Sequence, residues 1–217
     1  DSIRTFRLLP WHEKPNASVP LDTTSFEPWY SPNEWSEMRL SSKSHWDVPV
    51  QLPNGEALHV LASHPTPPGF DGVARRNNHR NHDEVQFWSD YLSQAAYVED
   101  DSGRVGGLHA NASFLVMGDL NADPDDASIF RNAIRHLIGH ERVDGDVVPE
   151  ASRARQADYP DLDPDDTSRW GGRIDYVLPA ATVTVDDAGV WRPAPAQVPD
   201  VPVSDHFPVW VDVRVGP

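Results

Sequence analysis

The sequence predicts a single α/β domain. Strand-like runs alternate with two amphipathic segments of helical length. A chain of 217 residues with 38% apolar content is long enough for one sizeable core and short for two. The polar motifs fall at the ends of apolar runs, where sites assemble on a sheet edge.

Residues 1 to 44 are rich in Pro, Ser, Trp and Glu and have little periodicity, as in Pro28-Trp29-Tyr30-Ser31-Pro32-Asn33; they read as a loop-rich insertion and not as an independent domain. Two strands follow, His45 to Leu52 and Ala57 to His64. They are joined across Pro53-Asn54-Gly55, whose Asn-Gly favours an antiparallel hairpin. The prolines after His64 remove backbone donors and stop the second strand there. Asn81 with Glu84 three residues on has the spacing of a helix cap, and Val85, Trp88, Leu92, Ala95 and Ala96 form one face of a helix expected to end near Tyr97 or Val98. Phe114 to Met117 suits a strand buried on both faces. Asp126 is placed to cap a second helix through Ile129, Phe130, Ala133, Ile134, Leu137 and Ile138. The stretch from His140 to Gly172 is polar and reads as a long functional or mobile loop. Arg173 to Leu178, Thr182 to Val185 and Phe207 to Val215 complete the strands, with prolines 193, 195, 199 and 202 favouring extended, non-repetitive backbone between the last two.

Composition narrows the function. No apolar run approaches the roughly 20 residues of a membrane span, and residues 1 to 9 lack the pattern of a signal peptide. The absence of cysteine excludes disulfides, thiolate zinc sites and a cysteine nucleophile. A net charge of -16 disfavours tight non-specific nucleic-acid binding, which needs a positive surface.

Three segments place a carboxylate beside buried-looking strand residues: Gly118-Asp119-Leu120-Asn121-Ala122-Asp123-Pro124, Arg173-Ile174-Asp175-Tyr176-Val177 and Ser204-Asp205-His206-Phe207-Pro208-Val209. Desolvating a carboxylate costs several kcal/mol unless cations or donors compensate, so three such placements point to one shared polar site. Phosphate esters resist water because their oxygens are negative. Their hydrolysis needs a cation on those oxygens, a positioned base and donors for the transition-state charge. Asp, Asn and His supply these, and their hard oxygens suit Mg2+, Mn2+ or Ca2+.

The strings GDLNADP at 118–124, RIDYV at 173–177 and SDHFPV at 204–209 resemble, in order, three signature motifs of the endonuclease/exonuclease/phosphatase superfamily, and HVLASHPTP at 59–67 is similar to a fourth found in deoxyribonuclease-like members. The resemblance implies a four-layer α/β/β/α sandwich of two packed mixed sheets. It also implies metal-dependent hydrolysis of a phosphate ester, by a phosphodiesterase or phosphatase, with a nuclease as one alternative. By the same resemblance Asp119 orients or deprotonates the attacking water, Asn121 binds phosphate, His206 contacts the scissile phosphate under the orientation of Asp175, and His64 serves the leaving oxygen. Asp205, with Asp119 and Asn121, falls at the family's metal site. The family's amino-terminal Asn strand and its Gln-Glu motif, whose Glu is the principal metal ligand, do not precede His64 in recognisable form. The chain is therefore expected to be the carboxyl-terminal part of such a domain, partnered by an amino-terminal portion on a missing or separate segment; the alternative is a non-catalytic binding or scaffold domain. Exported relatives suggest a secreted or periplasmic location.

Each feature has a plainer use. Asp119 and Asn121 suit an ordinary turn, Asp175 and His206 a buried structural pair, His64 a strand-end histidine and Asp205 a solvated surface. The basic run from Arg75 to His82 offers Arg80 and His82 as phosphate contacts near a helix start, or simply balances nearby acids. Asp161 to Asp165 mimics a calcium loop, but Asp166 stands where Gly is needed and Gly172 where Glu is needed, so an EF-hand is rejected.

Overall fold

The computed structural model describes residues 2–194, 197 and 203–216. Five strands make one mixed sheet in the order β1 (Arg4–Thr5), β2 (His45–Gln51), β3 (Ala57–Ser63), β4 (Ser113–Asp119) and β5 (Asp175–Pro179). Two more, β6 (Thr184–Val190) and β7 (Val209–Arg214), form a separate antiparallel pair. The β2–β3 hairpin closes across Asn54-Gly55 as its turn residues require, with Gly55 at φ 87°. β3 and β4 run parallel, so the chain must cross over between them, and helix α2 (Arg76–Leu92) does so. The remaining helices are α1 (Pro32–Glu37), α3 (Asn132–Ile138) and α4 (Arg153–Asp158).

Helix α2 lies over the sheet face that carries Asp47, Leu61 and Ser63. Trp88 Nε1 donates to Ser63 Oγ at 2.9 Å, and the Tyr91 hydroxyl donates to Asp47. Phe87, Trp88, Tyr91, Leu61, Phe114, Val116 and Leu178 are buried between these layers. Truncating one of the large aromatics here would cost about 3–5 kcal/mol. On the opposite face Val209, Val211 and Val213 of β7 alternate inward against the core, as a half-covered strand should.

Residues 2 to 44 carry little regular secondary structure, and the segment is firmly seated. β1 pairs with β2, while Phe6, Leu9, Trp11 and Leu40 are buried. Arg4, also buried, donates to Asp100 Oδ2 at 2.7 Å and to three carbonyls of residues 104 to 107. Helix α1 has a capping box between Ser31 and Glu34.

Several boundaries differ from the sequence expectation, each for a tertiary reason. Helix α2 begins at Arg76, after Arg75 in the left-handed region, and Asn81 is a buried mid-helix residue instead of a cap. It ends at Leu92 and not near Tyr97, because the Tyr91 carbonyl accepts from the Leu108 amide and Gln94 turns left-handed. Gly107 makes that approach possible, since a Cβ there would lie 1.8 Å from the Tyr91 oxygen. Asp126 spends its carboxylate on the Ser128 amide, and α3 starts only at Asn132. β6 extends to Val190, past the expected Val185, through a bulge between Val185 and Asp187. The polar stretch from His140 to Gly172 contains α4, capped by Ser152, and the buried Thr167 and Ser168. The extended backbone expected around prolines 195, 199 and 202 lies outside the described residues.

Candidate functional site

The site forms where β4, β5 and the turn before β7 meet. Gly118, at φ 140°, is the last residue before the key carboxylate, and a Cβ there would stand 2.0 Å from the Ser63 carbonyl. Glycine is what lets β4 close against β3 at this end. Asp119 and Asp175 are register partners across the β4–β5 ladder, so their carboxylates are neighbours by construction. Asp119 Oδ1 accepts from the Asn121 amide at 3.0 Å, which turns the chain and holds Asn121 at φ 51°.

His206 Nδ1 bonds Asp175 Oδ2 at 2.8 Å, and its Nε2 lies 4.0 Å from Asp119 Oδ2. His64 Nε2 comes within 3.4 Å of the same oxygen, with half of the His64 side chain exposed. One Asp119 oxygen thus has two imidazoles within 4.0 Å. The segment carrying His206 is pinned by residues 167 to 170. Phe207 donates its amide to the Thr167 carbonyl at 2.7 Å, the Arg169 amide donates to the Asp205 carbonyl at 2.9 Å, and the Trp170 ring meets the imidazole edge-on. Thr167 Oγ1 accepts from the amides of both Ile174 and Asp175 at 3.0 Å, which fixes the start of β5.

Burial and the charge of Asp119 push the Asp175 carboxyl above the ordinary carboxylate range, outweighing the bonds from His206 and Thr167. Burial opposes the His206 cation, but the Asp175 hydrogen bond and the charges of Asp175, Asp119 and Asp205 more than offset it and raise its pKa. The pair retains its proton to a higher pH than an isolated imidazole would, leaving a cationic donor beside Asp119.

One oxygen or nitrogen from each of Asp119, Asp175 and His206 lies within 4.8 Å of the others. Two carboxylates and one imidazole suit a hard divalent cation whose shell is completed by other oxygens. This grouping differs from the expected metal set. Asp205 is not in it: its side chain is 72% exposed and its Oδ1 lies 4.0 Å from His206 Nε2, at the rim. Asn121 directs its amide nitrogen to the Pro65 carbonyl at 3.2 Å, tying the Asp119 turn to the loop after His64.

Arg80 and His82 do not join the cluster as the basic run suggested. Because α2 starts earlier, both lie inside the helix; Arg80 donates to the Arg39 carbonyl at 2.6 Å and stacks over Trp11, and His82 bonds Asp83 at 3.0 Å. Thr167 was missed because nothing in its periodicity separates it from the surrounding polar loop. Beside the cluster an apolar cleft of about 450 Å³ is lined by Met117, Val177, Trp191 and Phe207.

A mixed sheet with carboxylates and histidines gathered at one strand end defines a class of α/β domain with a polar edge site. The Endonuclease/Exonuclease/phosphatase family profile matches residues 3–206, and the chain belongs to that family. The match reaches back through the loop-rich first 44 residues. Among solved structures, an endonuclease/exonuclease/phosphatase from Beutenbergia cavernae superposes with a TM-score of 0.55 at 20% identity, covering 100% of this chain and 45% of that one. Sphingomyelinase C from Streptomyces griseocarneus (TM-score 0.40, 16% identity, 82% of this chain and 59% of that one) and a mannosyl-6-phosphatase from Bacteroides thetaiotaomicron (0.43, 15%, 85% and 62%) are more distant. No curated protein matches the sequence at a significant level. The chain thus corresponds to less than half the length of the Beutenbergia structure. Among the described residues, no helix is long and apolar enough to cross a membrane.

Proposed function

We propose that this chain carries the phosphate-handling part of a divalent-metal-dependent phosphoester hydrolase. The observation that carries the reading is the approach of two imidazoles, the Asp175-bonded His206 and His64, to one oxygen of Asp119. Membership of the family supports it. A phosphate ester set against this edge would meet a carboxylate positioned to take a proton from water, an imidazolium positioned to bond a non-bridging oxygen, and a second imidazole for the departing oxygen. In the proposed reaction the water oxygen bonds phosphorus, its proton passes to Asp119, and the ester P–O bond breaks with His64 supplying a proton to the leaving oxygen. Asn121, whose amide nitrogen carries a second proton besides the one given to Pro65, serves as a phosphate donor.

Asp119 and Asp175 would hold the cation, with His206 beside them as the imidazolium donor; the chemistry such an ion would supply is to neutralise the phosphate oxygens and lower the pKa of water. Two carboxylates would leave room for water and substrate oxygens among the six or more that such an ion takes. The face of the large sheet nearest the site is partly open. Trp46, Ala62 and Met117 line an open apolar groove of about 830 Å³ reaching Gly118 and His64, which we read as the seat of the domain's amino-terminal portion.

The test is hydrolysis of bis(4-nitrophenyl) phosphate, 4-nitrophenyl phosphate and plasmid DNA, with Mg2+, Mn2+ or chelator, by the protein joined to any amino-terminal sequence of its own gene. Metal-dependent turnover reduced at least 10²-fold in His206→Ala, with folding intact, is expected. Undiminished turnover in the variant would remove the assignment, and a folded wild type inert on every substrate would favour the non-catalytic reading.

A further inference from the structure

The loop that follows His64 cannot hold itself. Pro65, Pro67 and Pro68 lack amide protons, so the backbone from 65 to 68 has few donors with which to build a turn, and its carbonyls need partners from elsewhere. One stripe of α2 supplies much of what is missing. Asn78, Asn81 and Glu84, spaced three residues apart and so on one helix face, are all buried. Asn78 Nδ2 donates to the Pro68 carbonyl at 3.2 Å, and Glu84 Oε2 accepts from the Thr66 amide at 2.6 Å.

Asn81 differs from its two neighbours on the stripe. Its amide nitrogen donates to the Thr66 carbonyl at 2.9 Å, two residues beyond His64. It also donates to the carbonyls of Leu120 at 2.9 Å and Asn121 at 3.2 Å, immediately beyond Asp119. A single rigid carboxamide, 3% exposed and anchored on a 17-residue helix, therefore clasps both loops whose side chains meet at the site. Asn121 Nδ2 adds a return bond to Pro65. We propose that Asn81 is a positioning residue that sets the separation of His64 from Asp119, now 3.4 Å, and holds Asn121 in its left-handed conformation. Its role in turnover rests on the phosphohydrolase reading above; its role in geometry does not.

Asn81→Ala removes the donor and keeps a good helix former. Ile134→Ala serves as a packing control: it removes buried side chain from α3, which packs on α2, and none of the loop hydrogen bonds described above involves it. With bis(4-nitrophenyl) phosphate and Mn2+, Asn81→Ala is expected to lower kcat by 10- to 100-fold with KM within threefold, beyond any change in Ile134→Ala at a temperature where both are folded, since displacement of reacting groups by about 1 Å costs up to 10²-fold. In NMR spectra the His64 imidazole and the Asn121 amide should shift in Asn81→Ala and stay in place in Ile134→Ala. Resonances that do not move, or a kcat no lower than that of the control, would overturn the proposal. If the wild type does not turn over the ester, the functional reading falls and the spectra alone decide the positioning role.

Discussion

Replacing Gly118 by alanine offers a sharp test of how the sheet makes the site. The new Cβ would sit 2.0 Å from the Ser63 oxygen and 3.2 Å from its carbon, both backbone atoms that cannot rotate away. Relieving the contact to an ordinary carbon–oxygen distance of roughly 3.3 Å means parting β4 from β3 by about 1.3 Å at this end. The backbone conformation adds its own penalty, because φ of 140° lies far from any region a side chain tolerates, which costs of order 1–3 kcal/mol. Together with weakened pairing at the strand end, the loss comes to about 3–4 kcal/mol, or roughly 6–16 °C in Tm for a domain of this size. The same movement would carry Asp119 away from His64, which sits beyond Ser63 on β3, so turnover should fall about 10²-fold in the fraction that folds. Scanning calorimetry and ester hydrolysis on the purified variant provide the measurement, with Gly69→Ala, which meets nothing within 4 Å, as a neutral comparison. A Gly118→Ala protein melting within 2 °C of wild type (roughly 1 kcal/mol or less) and retaining half its activity would refute the close-approach argument.

The two other predictions concern supports outside the cluster. Burial opposes the charge of Asp100, but bonds from the Ser102 hydroxyl, Arg4 and the amides of Arg104 and Ser102 prevail and bring its pKa down to about 2. Because the folded value is depressed, this stabilisation is complete above the unfolded pKa near 4 and is lost as pH falls from about 4 through about 2; it amounts to about 2 kcal/mol. Denaturant titrations from pH 5 to 2 should show a shallower loss of stability in Asp100→Asn than in wild type, and parallel curves would contradict this. Thr167→Val keeps the shape but strands the amides of Ile174 and Asp175, at about 1–3 kcal/mol for each one left unpaired. It should lower both Tm and kcat, and a variant that lost neither would show that the Asp175 strand is held by other means.

The strands and the hairpin are legible in the sequence because their causes are local. Asn54-Gly55 demands a turn, and Phe114 to Met117 has no polar residue to spare for solvent. Helix α2 was legible as a helix through Val85, Trp88 and Leu92, but its start was not. Its first turns carry Asn78 and Asn81, residues that ordinarily compete with a helix for backbone hydrogens. Their side chains are occupied by loops that only the fold brings near, so the usual meaning of asparagine as a boundary is reversed here. Thr167 is unreadable for a similar reason, since both of its amide partners belong to the start of a strand that it reaches only after the chain has closed a loop through Gly171 and Gly172.

The site divides along the same line. Asp119, Asp175 and His206 stood out because each breaks an apolar context, and burial of a charge demands a partner; the structure supplies those partners within the same group. Arg80 and His82 lie within α2 and apart from the cluster, because a basic run records charge but not where a long side chain will spend it. Arg80 finds the Arg39 carbonyl and the Trp11 ring before it finds any anion, and a guanidinium bound to a carbonyl in a partly buried setting has little reason to leave. A net charge of -16 opposes the long-range attraction of a polyanion, and Arg80 and His82 are engaged within α2. On that balance the function proposed above favours the phosphate of a small or non-polymeric ester over a long nucleic acid drawn in from a distance.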